Sequence, residues 1–152
     1  MASIPAPACD VVIVCGGPAW PEAAADPAVL AYLRGLPPEG MASVCTGALI
    51  LAASGALDGP LATTRRHAVG PETISPLNLL GNSGKVQATV ASVVEAGAVT
   101  GGGVYLAIDT TLYLLGRMYG EDAVTEIARL IEYDKAYAAN RKALGMITSR
   151  QR

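Results

Sequence analysis

The sequence predicts an α/β domain in three layers, with helices on both faces of a mostly parallel sheet. Three observations lead there. Short apolar runs alternate along the chain with stretches of helical periodicity, the order that produces strand–helix–strand crossovers. The first run, Asp10-Val-Val-Ile-Val-Cys15, is apolar on both faces and closed by Gly16-Gly17-Pro18, the pattern of a buried parallel strand. The composition, with 17 Gly, one Trp and no Phe in 152 residues, leaves the core to Val, Leu, Ile and Ala, so its elements must approach closely.

Taken in order, residues 26–34 read as a short helix with Asp26 as N-cap and Pro27 at its first position. A second strand is expected at Met41 to Val44. It leads directly into a small-residue helix from Cys45 to Leu57, ended by the turn Asp58-Gly59-Pro60. Ala62 to Thr64 form a brief strand, and residues 69–82 a loop with a helical turn or two. Val86 to Val94 and Ala98 to Thr100 flank Glu95-Ala96-Gly97 as a hairpin. Val104, Ile108, Leu112, Leu115 and Tyr119 recur at helical spacing. A second amphipathic helix follows Gly120, with Glu121 and Asp122 in its first turn. From Lys135 to Arg152 the tail reads as basic and looser. There is no internal repeat and no low-complexity linker, so residues 1–152 read as a single domain of ordinary size.

Composition narrows the function classes. Apolar residues are 51% and charged residues 16%, which excludes an intrinsically disordered chain. A formal net charge of -2 argues against a basic nucleic-acid-binding face. The run from Val104 to Met118 carries Asp109 and is too short to cross a bilayer, and the N-terminus lacks the basic start of a signal peptide, so no membrane partner is expected. Three cysteines, Cys9, Cys15 and Cys45, form no CxxC pair and suggest a reducing, cytoplasmic setting. One histidine and no metal-ligand cluster leave no expected metal.

In open α/β sheets reactive groups sit at the carboxyl ends of strands, which selects Gly16-Gly17 and Cys45. Cys45 lies in Ser43-Val44-Cys45-Thr46-Gly47, where a strand turns straight into a helix. Such a turn needs small residues two before and two after the nucleophile, and Ser43 and Gly47 are small. A thiol there faces the positive end of a helix and its unpaired N–H groups, which favour the thiolate. The Thr46 N–H with those of Gly16 and Gly17 would form an oxyanion-hole-like set. Against this stands a passive buried cysteine, the common fate of the residue type. Cys9 and Cys15 read as passive. His67, the single histidine, lies one helix and a turn beyond Cys45; it is either a partner imidazole or a surface residue beside Arg65 and Arg66. Gly81-Asn-Ser-Gly84-Lys85 has the wrong spacing for a phosphate loop, and Gly101-Gly-Gly103 serves equally as a tight turn.

Four segments in order carry a resemblance: Val44-Cys-Thr-Gly-Ala-Leu-Ile-Leu-Ala-Ala-Ser-Gly-Ala-Leu-Asp58-Gly, Ala62-Thr-Thr64, Val99-Thr-Gly-Gly-Gly103-Val-Tyr-Leu-Ala-Ile-Asp109 and Ile131-Glu-Tyr-Asp134. From about Asp10 to Asp134 the chain resembles the ThiJ/PfpI superfamily of class I glutamine amidotransferase-like proteins, and the isonitrile hydratase branch most. That resemblance implies a flavodoxin-like sandwich, a homodimer, and Cys45 as nucleophile on an elbow. It implies a cofactor-free hydration of a small-molecule isonitrile to an N-substituted formamide, with Thr46, Gly16 and Gly17 polarising the intermediate. Where members read Thr-Thr-His, this sequence has Thr63-Thr64-Arg65, with His67 two residues later. Asp109 matches a family position and reads as structural. Members carry a further strand–helix–strand segment ahead of the first strand seen here, with an acid that hydrogen-bonds the cysteine. The expectation is therefore an N-terminally incomplete member, with three alternatives: a non-catalytic ligand-binding or redox-sensing domain, an inactive truncated form, and a peptidase or amidase.

Overall fold

The computed structural model describes residues 9–57 and 61–148. In chain order its strands are β1 (Val12–Cys15), β2 (Met41–Val44), β3 (Leu61–Ala62), β4 (Gln87–Ala88), β5 (Val93–Ala96), β6 (Ala98–Gly101) and β7 (Met146–Ile147). The helices are α1 (Trp20–Ala25), α2 (Pro27–Arg34), α3 (Gly47–Ser54), α4 (Pro76–Asn82), α5 (Leu106–Tyr119), α6 (Glu121–Leu130) and α7 (Asp134–Leu144), with a 3-10 turn at Pro38–Gly40. Five strands make one sheet in the order β1-β2-β6-β5-β7, while β3 and β4 pair separately. All pairs are parallel except the hairpin β5/β6, so the sheet is mainly parallel, as the sequence predicts.

Strand alternation sends neighbouring side chains to opposite faces, and the register divides the core accordingly. Val14, Met41 and Ala98 face one way and pack with Leu33 of α2 and Leu49, Ile50 and Leu51 of α3. Ala42, Val93 and Val99 face the other way against Leu114 of α5, with Val11, Tyr113 and Met146 at the margin. A third cluster, Leu112, Val124, Ala128 and Tyr137, holds α5, α6 and α7 together. Helices thus cover both faces of a flavodoxin-like sheet. α3 has no charged residue and is buried along almost its whole length, as a helix apolar all round must be. Gly55, at φ 90°, ends it: the Gly55 N–H donates to Ala52 O and the Ala56 N–H to Leu51 O. Each fully buried leucine such as Leu51 contributes about 2 kcal/mol.

Several expectations need correction. β1 is an edge strand among the described residues, with Ile13 41% exposed, rather than a strand buried on both faces. Its apolar pattern is that of a strand with two neighbours, and only β2 pairs with it here. The tail is not loose: α7 forms over most of it and β7 pairs with β5, anchored by Tyr137. Its many charges hid that anchor. The run Val86 to Val94 divides, since Gln87–Ala88 pairs with β3 while Val93–Ala96 turns about Gly97 (φ 85°) into β6. The helix Trp20–Ala25 was not expected, because Pro18 and Pro21 punctuate its start. The turn Asp58-Gly59-Pro60 lies outside the described residues.

Candidate active site

The β2–α3 connection is an elbow. Cys45 adopts φ 54°, one of two positive values among the described non-glycine residues. A left-handed residue with a Cβ costs about 1–2 kcal/mol, so its surroundings must hold it there. They do so on three sides. The Cys45 N–H donates to Gly102 O at 3.0 Å. Its carbonyl accepts the Thr64 hydroxyl at 2.5 Å and the Ala48 N–H at 3.4 Å. Gly102 in turn donates its own N–H to Ser92 O at 3.0 Å.

The small residues are required by contact. A Cβ on Gly47 would lie 2.0 Å from Val14 O, and one on Gly16 would lie 2.4 Å from Thr46 Oγ1 and 2.5 Å from Thr46 N. The elbow therefore presses directly on the end of β1. Ser43 is wholly buried, and its Oγ has no hydrogen-bond partner among the described residues.

Thr46 precedes α3 without capping it. Its Oγ1 turns outward to accept the Gly17 N–H at 3.1 Å and to donate to Gly17 O at 3.4 Å. The Gly16 N–H is also engaged, donating to Val44 O at 3.1 Å. Neither glycine N–H is therefore free beside the thiol, unlike the expected oxyanion set. The N–H groups of Thr46 and Gly47, at the uncapped start of α3, have no acceptor among the described residues.

Arg65, not the ring of His67, meets Cys45. The guanidinium hydrogen-bonds Glu72 Oε1 from Nη2 at 2.5 Å and His67 O from Nη1, and it lies near enough to the Cys45 side chain to interact with it electrostatically. Its side chain is only 11% exposed. Glu72 first, and Cys45 after it, raise the Arg65 group above the ordinary arginine value, while burial opposes them. Arg65 correspondingly holds the Glu72 carboxyl below the usual carboxylate range, helped by the Val69 N–H on Oε2 at 2.9 Å. His67 is exposed and joins the arrangement through its backbone carbonyl. Cys45 itself is half-buried, whereas Cys9 and Cys15 are exposed.

Asp109 lies elsewhere, in the first turn of α5 and fully buried. Oδ2 accepts the Tyr133 hydroxyl at 2.8 Å and Asn140 Nδ2 at 3.1 Å, and Oδ1 has no partner among the described residues. Burial raises its carboxyl above the ordinary value, with the two hydrogen bonds opposing, and it helps push Tyr133 up to about 12. Thr64 and Glu72 received no role from the sequence. Thr64 stands in a recognised segment, but Glu72 sits in a loop whose path no periodicity reveals.

The chain is 31% identical over 134 residues to the isonitrile hydratase of Pseudomonas putida, covering 86% of this chain and 54% of that protein. Its fold matches a ThiJ/PfpI family protein from Pseudomonas syringae (26% identity, TM-score 0.65, 82% of this chain and 50% of that one). It equally matches a DJ-1 superfamily protein from Salmonella typhimurium (28% identity, TM-score 0.65, 82% and 64%). In sequence and fold the chain is thus similar to proteins of the ThiJ/PfpI superfamily. No family model matches it. Drosophila melanogaster DJ-1beta shares the fold at 20% identity, with a TM-score of 0.59 over 80% of this chain and 63% of that one. The chain thus spans about half the length of the curated relative it matches. No helix among the described residues is long and apolar enough to cross a membrane, and no cluster of potential metal ligands occurs among them.

Proposed function

We propose that the chain is a cysteine-dependent hydratase of a small electrophile, with an alkyl isonitrile as substrate and Cys45 as nucleophile. One observation carries the reading: Cys45 is held in a left-handed conformation at an uncapped helix start, with the Arg65 guanidinium against its thiol. A cation and a helix N-terminus both attract the negative charge that develops as a nucleophile adds to an isonitrile. The thiolate adds to the terminal isonitrile carbon, which takes a proton from water, giving a thioimidate. A second water adds to that carbon while the nitrogen takes one of its protons; the Cys45 sulfur then leaves as thiolate as the hydroxyl proton passes to the hydroxide left by the first water, forming the N-substituted formamide. The N–H groups of Thr46 and Gly47, which have no acceptor among the described residues, are the donors available to developing charge. Arg65 stays protonated near neutral pH, so it orients and stabilises but carries no proton. A homodimer in the cytoplasm goes with this reading as its family expectation.

Incubation with an alkyl isonitrile is expected to release the formamide in wild type and not in Cys45→Ala. Equal inertness of the two proteins removes the hydratase reading. A second reading, a ligand-binding or redox-sensing domain, is favoured by the engagement of both Gly16 and Gly17 N–H groups and by an arginine in place of an imidazole. It expects covalent modification of Cys45 without turnover, and steady formamide production would exclude it.

A further inference from the structure

Cys15 and Cys45 end neighbouring strands. The β1/β2 register sets Cys15 opposite Val44, the residue before Cys45, and the Gly16 N–H closes onto Val44 O. Adjacent strands lie about 4.8 Å apart, so Cys15 stands beside the residue that immediately precedes Cys45, in the neighbourhood a disulfide spans. The elbow presses on this strand end, since a Cβ on Gly47 would come within 3.3 Å of the Cys15 carbonyl carbon. Cys15 is exposed, Cys45 is half-buried, and Gly16-Gly17 follow Cys15 with the backbone freedom to adjust. Cys9 lies ahead of β1, three residues before its first residue, Val12.

We propose that Cys15 is the resolving thiol for Cys45, which makes the elbow a dithiol switch driven by a hydroperoxide. The proposal rests on the reading of Cys45 as a reactive thiolate and is independent of isonitrile chemistry. In the first step the Cys45 thiolate attacks the terminal oxygen of the hydroperoxide. An S–O bond forms, the O–O bond breaks, and the leaving alkoxide takes a proton to become the alcohol, or water when the oxidant is hydrogen peroxide. Cys45 is now a sulfenic acid. In the second step the Cys15 thiolate attacks the Cys45 sulfur. The S–S bond forms, the S–O bond breaks, and hydroxide leaves with the proton shed by Cys15 as water. The two thiols lose two electrons, which the peroxide gains. Bridging removes the nucleophile, and a dithiol reductant restores it.

The test treats the full chain with one equivalent of hydrogen peroxide, alkylates it with iodoacetamide and cleaves it before Asp10, which puts Cys9 and Cys15 on different peptides. A Cys15–Cys45 linked peptide that vanishes on reduction is expected, with Cys9 alkylated. In Cys15→Ser, dimedone should trap the Cys45 sulfenic acid, and overoxidation to the sulfinic acid should run about tenfold faster than in wild type. Equal overoxidation in both proteins with no linked peptide overturns the proposal, as does a link to Cys9. Iodoacetamide labelling of Cys45 in untreated protein at neutral pH tests the underlying thiolate. Labelling without a link defeats the switch alone, and a Cys45 that neither labels nor oxidises defeats both.

Discussion

The elbow and the Asp109 cluster each place one ionisable atom beside the first turn of a helix, yet they treat its charge in opposite ways. At Cys45 a cation, a carboxylate behind it and open N–H groups surround a half-buried sulfur. At Asp109 the carboxylate is sealed from solvent, faces two neutral donors and no cation, and leaves Oδ1 without a partner among the described residues. The first arrangement leaves the sulfur reachable, with a cation near it. The second favours the neutral acid and ties α5 to α7. The two sites therefore differ in access and counter-charge, not in burial alone.

The largest effect that breaks this contrast is steric. Gly47→Ala drives a Cβ into Val14 O and should cost about 3 kcal/mol or more, read as a large fall in melting temperature. Next, Asp109→Ala removes the carboxylate that accepts from both the Tyr133 hydroxyl and the Asn140 amide. It should cost about 2 kcal/mol, while Cys45 labelling stays at the wild-type rate. Arg65→Met has the reverse profile, with Cys45 alkylation at neutral pH slowed about tenfold and little change in melting. The pH dependence sharpens the contrast further. The Asp109 carboxyl is raised above its ordinary value of 3.8, so its contribution to stability is complete below that pH and is lost as pH rises through the folded value. Melting of Asp109→Asn relative to wild type should thus shift in the variant's favour as pH climbs from 3.8. Glu72 has the opposite sign: held below its ordinary 4.5, it supports the Arg65 clamp above that pH and releases it as pH falls through the lowered value. Smallest of all, Glu126→Ala breaks an exposed pair with Arg129 one turn away and should leave both melting and labelling unchanged within error.

Much of this was legible in the sequence, and the limits have physical causes. The elbow could be read because sterics allow few residues around Cys45, so Ser43 and Gly47 announce it. The helices from Leu106 and Glu121 could be read because their apolar positions repeat with the helical period. Arg65 could be placed at the site only by family resemblance, and Glu72 not at all, since the loop that joins them is fixed by hydrogen bonds such as Glu72 N–H to Val69 O. The exposed side of β1 was misread because an apolar run records what a strand is suited to meet, not whether the neighbour is there. The tail was misread because the buried face of α7 rests on Tyr137 amid charge.

One consequence follows from Gly102. Its carbonyl receives the Cys45 N–H and its own N–H reaches Ser92 O, while the Ser92 N–H and hydroxyl both donate to Gly145 O, at 3.0 and 2.7 Å. A short relay of hydrogen bonds therefore ties the left-handed Cys45 to the bend between α7 and β7. Clipping the chain before Gly145 would strand two donors on the buried Ser92 and slacken the far end of that relay. The charged tail acts as the guy-line that keeps the elbow taut.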